Sequence, residues 1–314
     1  MRKVFYKIVI VFLLLVGLQS LLAQQDAQYT QYMYNTLSIN PAYAGSRDVL
    51  SIVGLHRSQW LGIDGAPRTN TLSLHTPIGY MRKVGLGFSV INDEIGPVDE
   101  TYISGDFSYT IETKYNSKLS FGLKATAQLF SVDFNLLNIY DYDDPEYLTQ
   151  IDNSFKPNVG LGIFYYGDNY YFGFSAPNLL ETEHFDVSYN DSAAYISSQD
   201  RVNYYVIGGY VFTLNDSVKF KPAVLAKIVD GAPLQLDVSA NFLINEKITI
   251  GAAYRWSAAL SFLAGFQVSD SMMIGLGYDR ETTELQEYTS GSYEIMIRYE
   301  LFRKYSRMFT PRFF

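Results

Sequence analysis

Few residues in this sequence are suited to catalysis or to zinc binding. The histidines are His56, His75 and His184, whereas a zinc site normally needs three or four converging ligands. His56 and Ser58 would share one face of a β-strand, as a general base and a nucleophile of a hydrolase could. A single pair of this kind is not specific, and the sequence has no phosphate-binding glycine loop, G-x-S-x-G elbow or dinucleotide fingerprint. We therefore predict that the chain is not an enzyme, and keep a Ser58-dependent hydrolase as a third hypothesis.

An acidic run is the one candidate for a metal site. It consists of Asp141, Asp143, Asp144 and Glu146. Carboxylate oxygens at this spacing suit Ca²⁺, but the run lacks the glycine and the distal glutamate of a helix–loop–helix calcium site. We favour a solvated loop. The sequence has no cysteine, which excludes thiolate ligands and disulfides. No metal and no cofactor are predicted.

Charge and aromatic content restrict the class of protein. The formal net charge is -8. Nucleic-acid binding requires concentrated lysine and arginine, so we expect no nucleic-acid partner. The chain has 27 tyrosines and 21 phenylalanines. Tyrosine suits positions that are apolar at one end and wet at the other, such as a membrane surface.

Residues 1–23 have the pattern of a secretory signal peptide. Basic residues precede an uninterrupted apolar run, Ile8–Val16, and Ala23 offers a cleavage point. An uncleaved anchor is the alternative, although the run is short for a membrane helix. No later stretch approaches the ~20 consecutive apolar residues of a spanning helix. The mature chain is predicted to begin near Gln24.

Alternation of apolar and polar residues dominates the sequence after residue 48. In the stretch 118–128, apolar residues from Leu119 to Ala127 occupy every second position. Side chains of a strand point alternately to opposite faces, so such a stretch predicts a strand with one apolar face. About fourteen stretches of roughly ten residues follow this pattern, the length that a tilted strand needs to cross a bilayer. They lie near residues 49–59, 69–77, 84–92, 102–111, 118–128, 158–166, 169–176, 202–213, 218–227, 233–243, 246–256, 260–268, 271–280 and 290–301.

The strands predict an all-β fold, a transmembrane antiparallel up-and-down β-barrel of about fourteen strands. A soluble β-sandwich is the alternative, but one of this size would be unusual and would leave many aromatic residues without an apolar surface to face. Closure into a barrel pairs every backbone amide, as lipid requires. We assign residues 49–302 to the barrel, 24–48 to an N-terminal periplasmic or plug segment, and 303–314 to a periplasmic tail.

Connector lengths predict the orientation of the barrel. Even-numbered connectors are mostly tight, whereas the longer odd-numbered ones are 129–157, 177–201, 93–101 and 281–289. The odd connectors near 229–232 and 257–259 are short and fit this division less well. Bacterial barrels have short periplasmic turns and longer external loops. An even strand number would then place both termini in the periplasm of a Gram-negative cell, with the barrel in its outer membrane.

The region from Gln28 to Pro77 resembles the N-terminal signature of the PorP/SprF family. The matching residues form a long, ordered set. They are Gln31, Tyr32, Met33, Tyr34, Asn35, Asn40, Pro41, Ala42, Tyr43, Ala44, Gly45, Ser46, Arg57, Gln59, Trp60, Gly62, Gly65, Ala66, Pro67, Thr69, Ser73, His75 and Pro77. The resemblance continues less closely over the strand pattern, through residues 171–178, to the last residues 310–314.

The resemblance implies an outer-membrane protein of the type IX secretion system of Bacteroidota. Family members support the secretion or surface attachment of particular cargo proteins, including gliding adhesins, and some are linked to periplasmic ring and motor components. The implied partners are a cargo protein with a type IX C-terminal domain, these periplasmic components and outer-membrane lipid. Because the family has many paralogues per genome, the resemblance does not identify the cargo.

Two segments are candidates for partner binding. The first contains Asn40, Pro41, Ala42, Tyr43 and Gly45. It is either a lumen plug or periplasmic contact, or a structural cap that turns the chain into the first strand. The second is an external connector with Gln59, Trp60, Gly65 and Pro67. Its tryptophan offers an anchor for cargo, since buried aromatic residues dominate interface energies. The alternative, which we favour, is a place in the aromatic belt at the membrane surface.

Charged residues on the polar faces of the strands are candidates for the lumen. The set comprises Lys124, Lys227, Asp237 and Arg255, together with Lys219 and Lys221. A lysine or arginine that faces lipid near the midplane costs ~2–4 kcal/mol, so the lumen is the favoured place. There these residues either line a channel or bind a plugging segment, or they are solvated or mutually paired.

The predicted function is cargo-specific support of type IX secretion by protein–protein contact. The second hypothesis is a passive diffusion channel whose lumen charges tune selectivity. A co-purifying cargo protein would favour the first hypothesis. A large steady conductance, with normal cargo display in a deletion strain, would favour the second.

Overall fold

A computed structural model describes residues 28–114, 116–136, 151–183 and 199–301. The helices are short: α1 (Thr36–Ile39) and the 3-10 turns Pro41–Tyr43, Phe134–Leu136 and Glu284–Glu287. No described helix is both long and apolar enough to cross a bilayer. The strands are β1 (Leu50–Ser58), β2 (Arg68–Ile78), β3 (Val84–Ile95), β4 (Val98–Glu112), β5 (Lys118–Val132), β6 (Ile151–Tyr166), β7 (Tyr170–Ala176), β8 (Thr182–Glu183), β9 (Gln199–Asp200), β10 (Asn203–Tyr210), β11 (Phe212–Asn215), β12 (Val218–Val229), β13 (Gln235–Ile244), β14 (Ile248–Arg255), β15 (Ala259–Ser269), β16 (Met272–Glu281) and β17 (Ser292–Leu301).

The main sheet closes on itself. β1 pairs with both β2 and β17, and β10 pairs with both β7 and β12. Only Val211 separates β10 from β11, and the two together form one strand of the wall. β8 and β9 form a separate two-stranded ribbon. The structure is therefore a closed antiparallel barrel of 14 strands, which confirms the predicted fold class.

Alternate residues of the strands face opposite sides of the wall. In β17, exposed and buried positions alternate from Ser292 to Leu301. The outward residues are mostly large and apolar. For example, Leu123 and Phe262 are 54% and 52% exposed. The inward face buries polar residues, including Lys124. An apolar exterior around a polar interior is the pattern that a barrel in lipid requires.

The connectors distinguish the two ends of the barrel. One end, named here the turn rim, carries short connectors such as 245–247 and 270–271. The opposite end, the loop rim, carries the longer connectors 59–67, 133–150 and 282–291. This division follows the predicted alternation of tight and long connectors.

The prediction of a loop at residues 93–101 was wrong. β3 and β4 stay paired as far as Ile95 and Val98, so Gly96 and Pro97 alone form the turn. The side chains in these extensions are largely polar, and the apolar alternation therefore ends before the strands do. Backbone hydrogen bonds of an antiparallel pair do not depend on apolar side chains, and they continue beyond the apolar band.

The N-terminal residues 28–48, named here the plug, pass through the lumen from rim to rim. At the turn rim, Asp48 lies 3.5 Å from the Nζ of Lys118, at the start of β5. At the loop rim, Gln28 hydrogen-bonds to Gln235 and Arg255, at the start of β13 and the end of β14. Almost all side chains between these two ends are buried.

The plug places the two ends of the described chain, Gln28 and Leu301, at opposite rims. Leu50 and Leu301 pair at the turn rim, as an even strand number requires, whereas Gln28 lies at the loop rim. The expectation that both termini lie in the periplasm stays a prediction. The predicted signal peptide and C-terminal tail lie outside the described residues.

Candidate functional site: the plugged lumen

The apolar core of the protein lies inside the barrel, between the plug and the wall. Tyr32, Met33 and Leu37 of the plug are at most 2% exposed to solvent. They belong to one apolar cluster with Ile207 and Met296 of the wall. In a barrel of this width the strands alone leave a lumen. The plug fills that space with side chains and so supplies the core that the wall lacks.

Two wall carboxylates and an arginine hold the loop-rim part of the plug. Arg57 lies 2.6 Å from Asp279 and 3.3 Å from Glu294. The carboxylate of Glu294 accepts the backbone N–H groups of Thr30 at 2.9 Å and Gln31 at 2.8 Å. The hydroxyl of Thr30 donates to Asp279 at 2.6 Å. The buried charges therefore satisfy plug backbone groups that the lumen hides from bulk water.

A second ion pair meets the plug at the same rim. The Nε of Arg255 donates to both carboxylate oxygens of Asp237, at 3.1 and 3.0 Å. Its Nη1 donates to the side-chain oxygen of Gln28 at 2.9 Å. Asp237 and Arg255, both proposed from the sequence as lumen residues, thus form a buried pair that contacts the first described residue of the plug.

Lysines contact the middle of the plug. Lys124 lies 3.0 Å from Asp106, and its Nζ is 3.4 Å from the carbonyl oxygen of Leu37. Lys221 lies over the ring of Tyr34, with 5.8 Å from Nζ to the ring centroid. Lys124 therefore links the wall to the plug rather than lining an aqueous path.

Lys227 and Lys219 occupy two other environments. Lys227 is buried and lies over the ring of Tyr205, which is also on the wall, at 5.8 Å. Lys219 forms an exposed pair with Glu246 near the turn rim, at 2.8 Å. Neither contact reaches the plug.

The segment Asn40–Gly45 packs closely against the wall. The side chain of Asn40 accepts from the N–H of Ala42 at 2.9 Å and donates to the carbonyl of Ile163 at 3.1 Å. The ring of Tyr43 makes edge contacts with His75 and Phe164. Asn40 thus caps the 3-10 turn that begins at Pro41 and ties it to β6.

Glycines of the wall allow this close approach. A Cβ on Gly122 would lie 2.1 Å from the nitrogen of Ala42, and one on Gly162 would lie 2.2 Å from Oδ1 of Asn40. A Cβ on Gly85 would meet the carbonyl oxygen of Ala44 at 2.2 Å. Three strands, β3, β5 and β6, therefore accommodate the plug only because these positions have no side chain.

Near the turn rim, charged and polar groups close the other end of the plug. Arg47 forms a buried ion pair with Glu300. Nδ1 of His75 accepts the N–H of Gly45 at 3.0 Å, and Ser108 donates to the carbonyl of Ala44 at 2.7 Å. The candidate segment 40–45 is therefore held by hydrogen bonds to several strands of the wall.

Comparison with known proteins identifies the family. The profile described as "Type IX secretion system membrane protein PorP/SprF" matches residues 21–299. The chain belongs to the PorP/SprF family. The match spans the plug and almost the entire barrel, and confirms the resemblance seen in the sequence.

Solved structures of other outer-membrane proteins are similar to this PorP/SprF chain. Omp33 of Acinetobacter baumannii matches with a TM-score of 0.43 and 8% identity, over 81% of this chain and 98% of that one. A Pseudomonas aeruginosa FadL homologue matches with a TM-score of 0.45 and 11% identity, over 84% and 94%. The KdgM porin matches with a TM-score of 0.38 and 10% identity, over 80% and 99%. A comparison with curated protein sequences finds no match.

The second candidate segment of this PorP/SprF protein folds onto the loop rim. Gln59 donates its N–H to the carbonyl of buried Pro67 at 2.9 Å, and Gly65 accepts from the N–H of Gly96 at 2.9 Å. The indole of Trp60 donates to Glu281 at 3.0 Å. Trp60 is therefore half-buried against the top of β16, where it orders the connector.

Sequence reasoning missed several charged residues that hold the plug of this family member. Arg57, Asp279, Glu294 and Glu300 are all buried on the inner face. Each has the same parity as the buried positions of its strand. The rule that selected Lys124 from its parity would have found them too.

The candidate catalytic pair lies apart from the plug. His56 and Ser58 share the outer face of β1 and are hydrogen-bonded at 3.0 Å. The acidic run at 141–146 lies outside the described residues. Within the described ranges, no group of three or more histidine or acidic side chains is placed to hold a metal ion.

Proposed function

We propose that this outer-membrane barrel supports the secretion or surface anchoring of a specific cargo protein through the type IX system. The observation that carries the proposal is the plug of a PorP/SprF barrel, which is held inside the lumen by buried charges at both ends. A lumen filled in this way leaves the two rims as the surfaces for partners. The role is one of protein–protein contact.

In this proposal the loop rim faces outward and the turn rim faces the periplasm, following the connector lengths. The loop rim would receive the C-terminal domain of the cargo, and the turn rim would meet the periplasmic ring or motor components. A gliding adhesin of a Bacteroidota cell is one cargo of this kind. The partner-binding candidates divide accordingly: residues 40–45 act by holding the plug, and the connector 59–67 acts by shaping the loop rim.

The connectors 59–67 and 282–291 provide the best candidate surface for cargo. Leu61 and Gly291 are joined by a backbone hydrogen bond of 2.9 Å, and Ser290 donates to Leu61 at 2.8 Å. Leu61 and Tyr288 are 40% and 71% exposed. These two apolar side chains, rather than the partly covered Trp60, are available to anchor a partner.

The test is a pull-down of the tagged full-length protein from detergent-solubilised membranes, followed by identification of bound proteins. A protein with a type IX C-terminal domain should bind the native chain. The double variant Leu61→Asp and Tyr288→Ala should lose it, whereas Met81→Asp, at an exposed position of the turn rim, should keep it. Equal capture by all three proteins, or capture of no such cargo, would reject the proposal.

The plug disfavours the alternative of a passive diffusion channel. Lys124 and Arg255, which would tune a channel, contact the plug at Leu37 and Gln28. Charges committed to such contacts are not free to select ions along an aqueous path.

A further inference from the structure

Three polar side chains form a hydrogen-bonded chain on the outer wall, away from the plug. Nε2 of His56 lies 3.0 Å from Oγ of Ser58, and Nδ1 lies 2.8 Å from Oδ1 of Asn70. His56 and Asn70 are directly opposite each other in β1 and β2. All three side chains belong to the outward-facing set of their strands.

The chemistry of the partners fixes the role of each nitrogen. The amide oxygen of Asn70 can only accept a hydrogen bond, so Nδ1 of His56 carries the proton. Nε2 then has a free lone pair, which accepts the hydroxyl proton of Ser58. A serine nucleophile, a histidine base and a third group that orients the base are arranged in this order in hydrolytic triads.

The chain lies at the loop-rim edge of the apolar band. Arg68 is directly opposite Ser58 and faces the same outer side. The next outward pair towards the turn rim is Gly54 and Leu72, which has no polar side chain. The three residues thus lie where water and lipid headgroups meet acyl chains.

An outward-facing glycine, Gly54, lies two residues from His56 in β1. A Cβ added to Gly54 would meet nothing within 4 Å, so the wall is open there. Ile297 and Leu72 lie directly opposite Gly54 on its two sides, and they are 45% and 50% exposed. The missing side chain between two apolar residues leaves room for a lipid acyl chain that points towards His56 and Ser58.

We infer that Ser58, His56 and Asn70 form a hydrolytic site for the carboxylic ester of a membrane-lipid acyl chain. Oγ of Ser58 attacks the ester carbonyl carbon while Nε2 of His56 takes the hydroxyl proton. The bond from that carbon to the alcohol oxygen breaks, and His56 gives the proton to the departing alcohol. The acyl group is then bonded to Ser58.

Water completes the cycle. A water molecule from the loop-rim side attacks the acyl-serine carbonyl, and His56 takes one of its protons. The bond from the carbonyl carbon to Oγ breaks, the fatty acid leaves, and His56 returns the proton to Ser58. Asn70 acts as a positioning residue throughout, and Arg68 supplies a cation beside the nucleophile for the lipid phosphate.

This activity goes beyond the secretion role and departs from the expectation that the chain is not an enzyme. That expectation rested on the pair His56 and Ser58, with no third residue to orient the histidine. The third member, Asn70, is distant in sequence and reaches His56 through the pairing of β1 with β2. Outward polar side chains form a row across the strands, named here the polar row: Asn92 lies opposite Asn70 and donates to Thr101 at 3.1 Å. Hydrogen bonding within this row would produce the same contacts without catalysis. The experiment must therefore distinguish a catalytic site from a row of mutually hydrogen-bonded residues.

The test uses the purified full-length protein in mixed micelles of detergent and phosphatidylglycerol, with release of free fatty acid as the readout. Ser58→Ala removes the nucleophile and should lower the rate by at least ~10⁴-fold, since loss of the serine of a hydrolytic triad costs about 10⁶-fold in kcat. Thr101→Ala, in the same polar row, should leave it unchanged. A fluorophosphonate probe should label the native protein on Ser58 and fail to label Ser58→Ala. Heat-modifiable gel mobility verifies that each variant is folded.

Asn70 provides a second, independent readout. Asn70→Ala should lower kcat and leave KM unchanged, whereas Asn70→Asp should retain activity because its carboxylate still accepts from Nδ1. The inference is overturned if the folded native protein neither releases fatty acid nor reacts with the probe. It is also overturned if Ser58→Ala retains full activity. Loss of cargo capture would not affect either result, so this inference and the secretion role fail separately.

Discussion

Gly122 and Ala42 are separated by less than the width of a side chain: a Cβ on Gly122 would lie 2.1 Å from the backbone nitrogen of Ala42. No real Cβ tolerates such a contact, and the obstructing atom belongs to the backbone of the plug. Gly122→Val should therefore displace the plug and lower stability by about 1–3 kcal/mol, the usual cost of overpacking. The urea midpoint of unfolding in detergent micelles measures this effect.

Gly105 provides the matched control for this prediction. It is also a strand glycine, but a Cβ there would meet nothing within 4 Å. Gly105→Val should leave the urea midpoint close to that of the native protein. Equal losses in the two variants would show that strand glycines matter here for backbone reasons and not for plug seating.

The stability of the barrel should also depend on the carboxylate of Glu294. It neutralises Arg57 and accepts two plug N–H groups. Loss of Glu294 leaves Arg57 paired with Asp279, but it leaves two buried plug N–H groups without an acceptor, at about 1–3 kcal/mol each. Glu294→Ala should show a loss of that size in the urea unfolding of the folded barrel.

The exposed ion pair of Lys219 and Glu246 provides a control for the effect of Glu294→Ala. Lys219 and Glu246 lie 2.8 Å apart, but the side chain of Glu246 is 57% exposed. Pairs of this kind contribute about 1 kcal/mol or less. If Glu246→Ala cost as much stability as Glu294→Ala, burial of the network would not be the cause.

The barrel wall could be predicted from the sequence, but the course of the plug could not. The wall follows from alternation, because an outward Leu123 beside an inward Lys124 encodes the strand and its two environments locally. The plug has no such repeat. Buried polar residues such as Gln31 and Asn35 do not indicate a packed core until the wall residues that satisfy them are known.

The same limit explains the missed features of the candidate sites. The glycines that admit the plug look in the sequence like any strand glycine, since their function depends on a segment of the chain about 40 to 120 residues away. The pairing of Asn70 with His56 likewise depends on the register of two strands. Parity identifies which face a residue occupies, but contacts across the lumen or between strands require the closed fold.

Plug occupancy should control conductance. The native protein in planar lipid bilayers should show little steady conductance, because residues 28–48 fill the lumen. Deletion of residues 28–46 should produce a large one, provided that the barrel still shows heat-modifiable mobility. A native barrel with a large steady conductance would contradict this prediction and favour a diffusion channel. If the deletion abolishes folding, Gly122→Val tests the same prediction, with an expected rise in conductance above that of Gly105→Val.

The outer wall should respond to charge according to depth. Leu276 lies in the middle of β16 and is 54% exposed on the outside, whereas Leu301 is the last residue of β17 at the turn rim and is 48% exposed. An arginine that faces lipid costs about 2–4 kcal/mol near the midplane and about 0–1 kcal/mol near the interface. Leu276→Arg should therefore destabilise the barrel in phospholipid vesicles by several times more than Leu301→Arg, as measured by urea unfolding. Because the two substitutions are chemically the same and start from similar exposure, equal effects would mean that β16 does not face the hydrocarbon region.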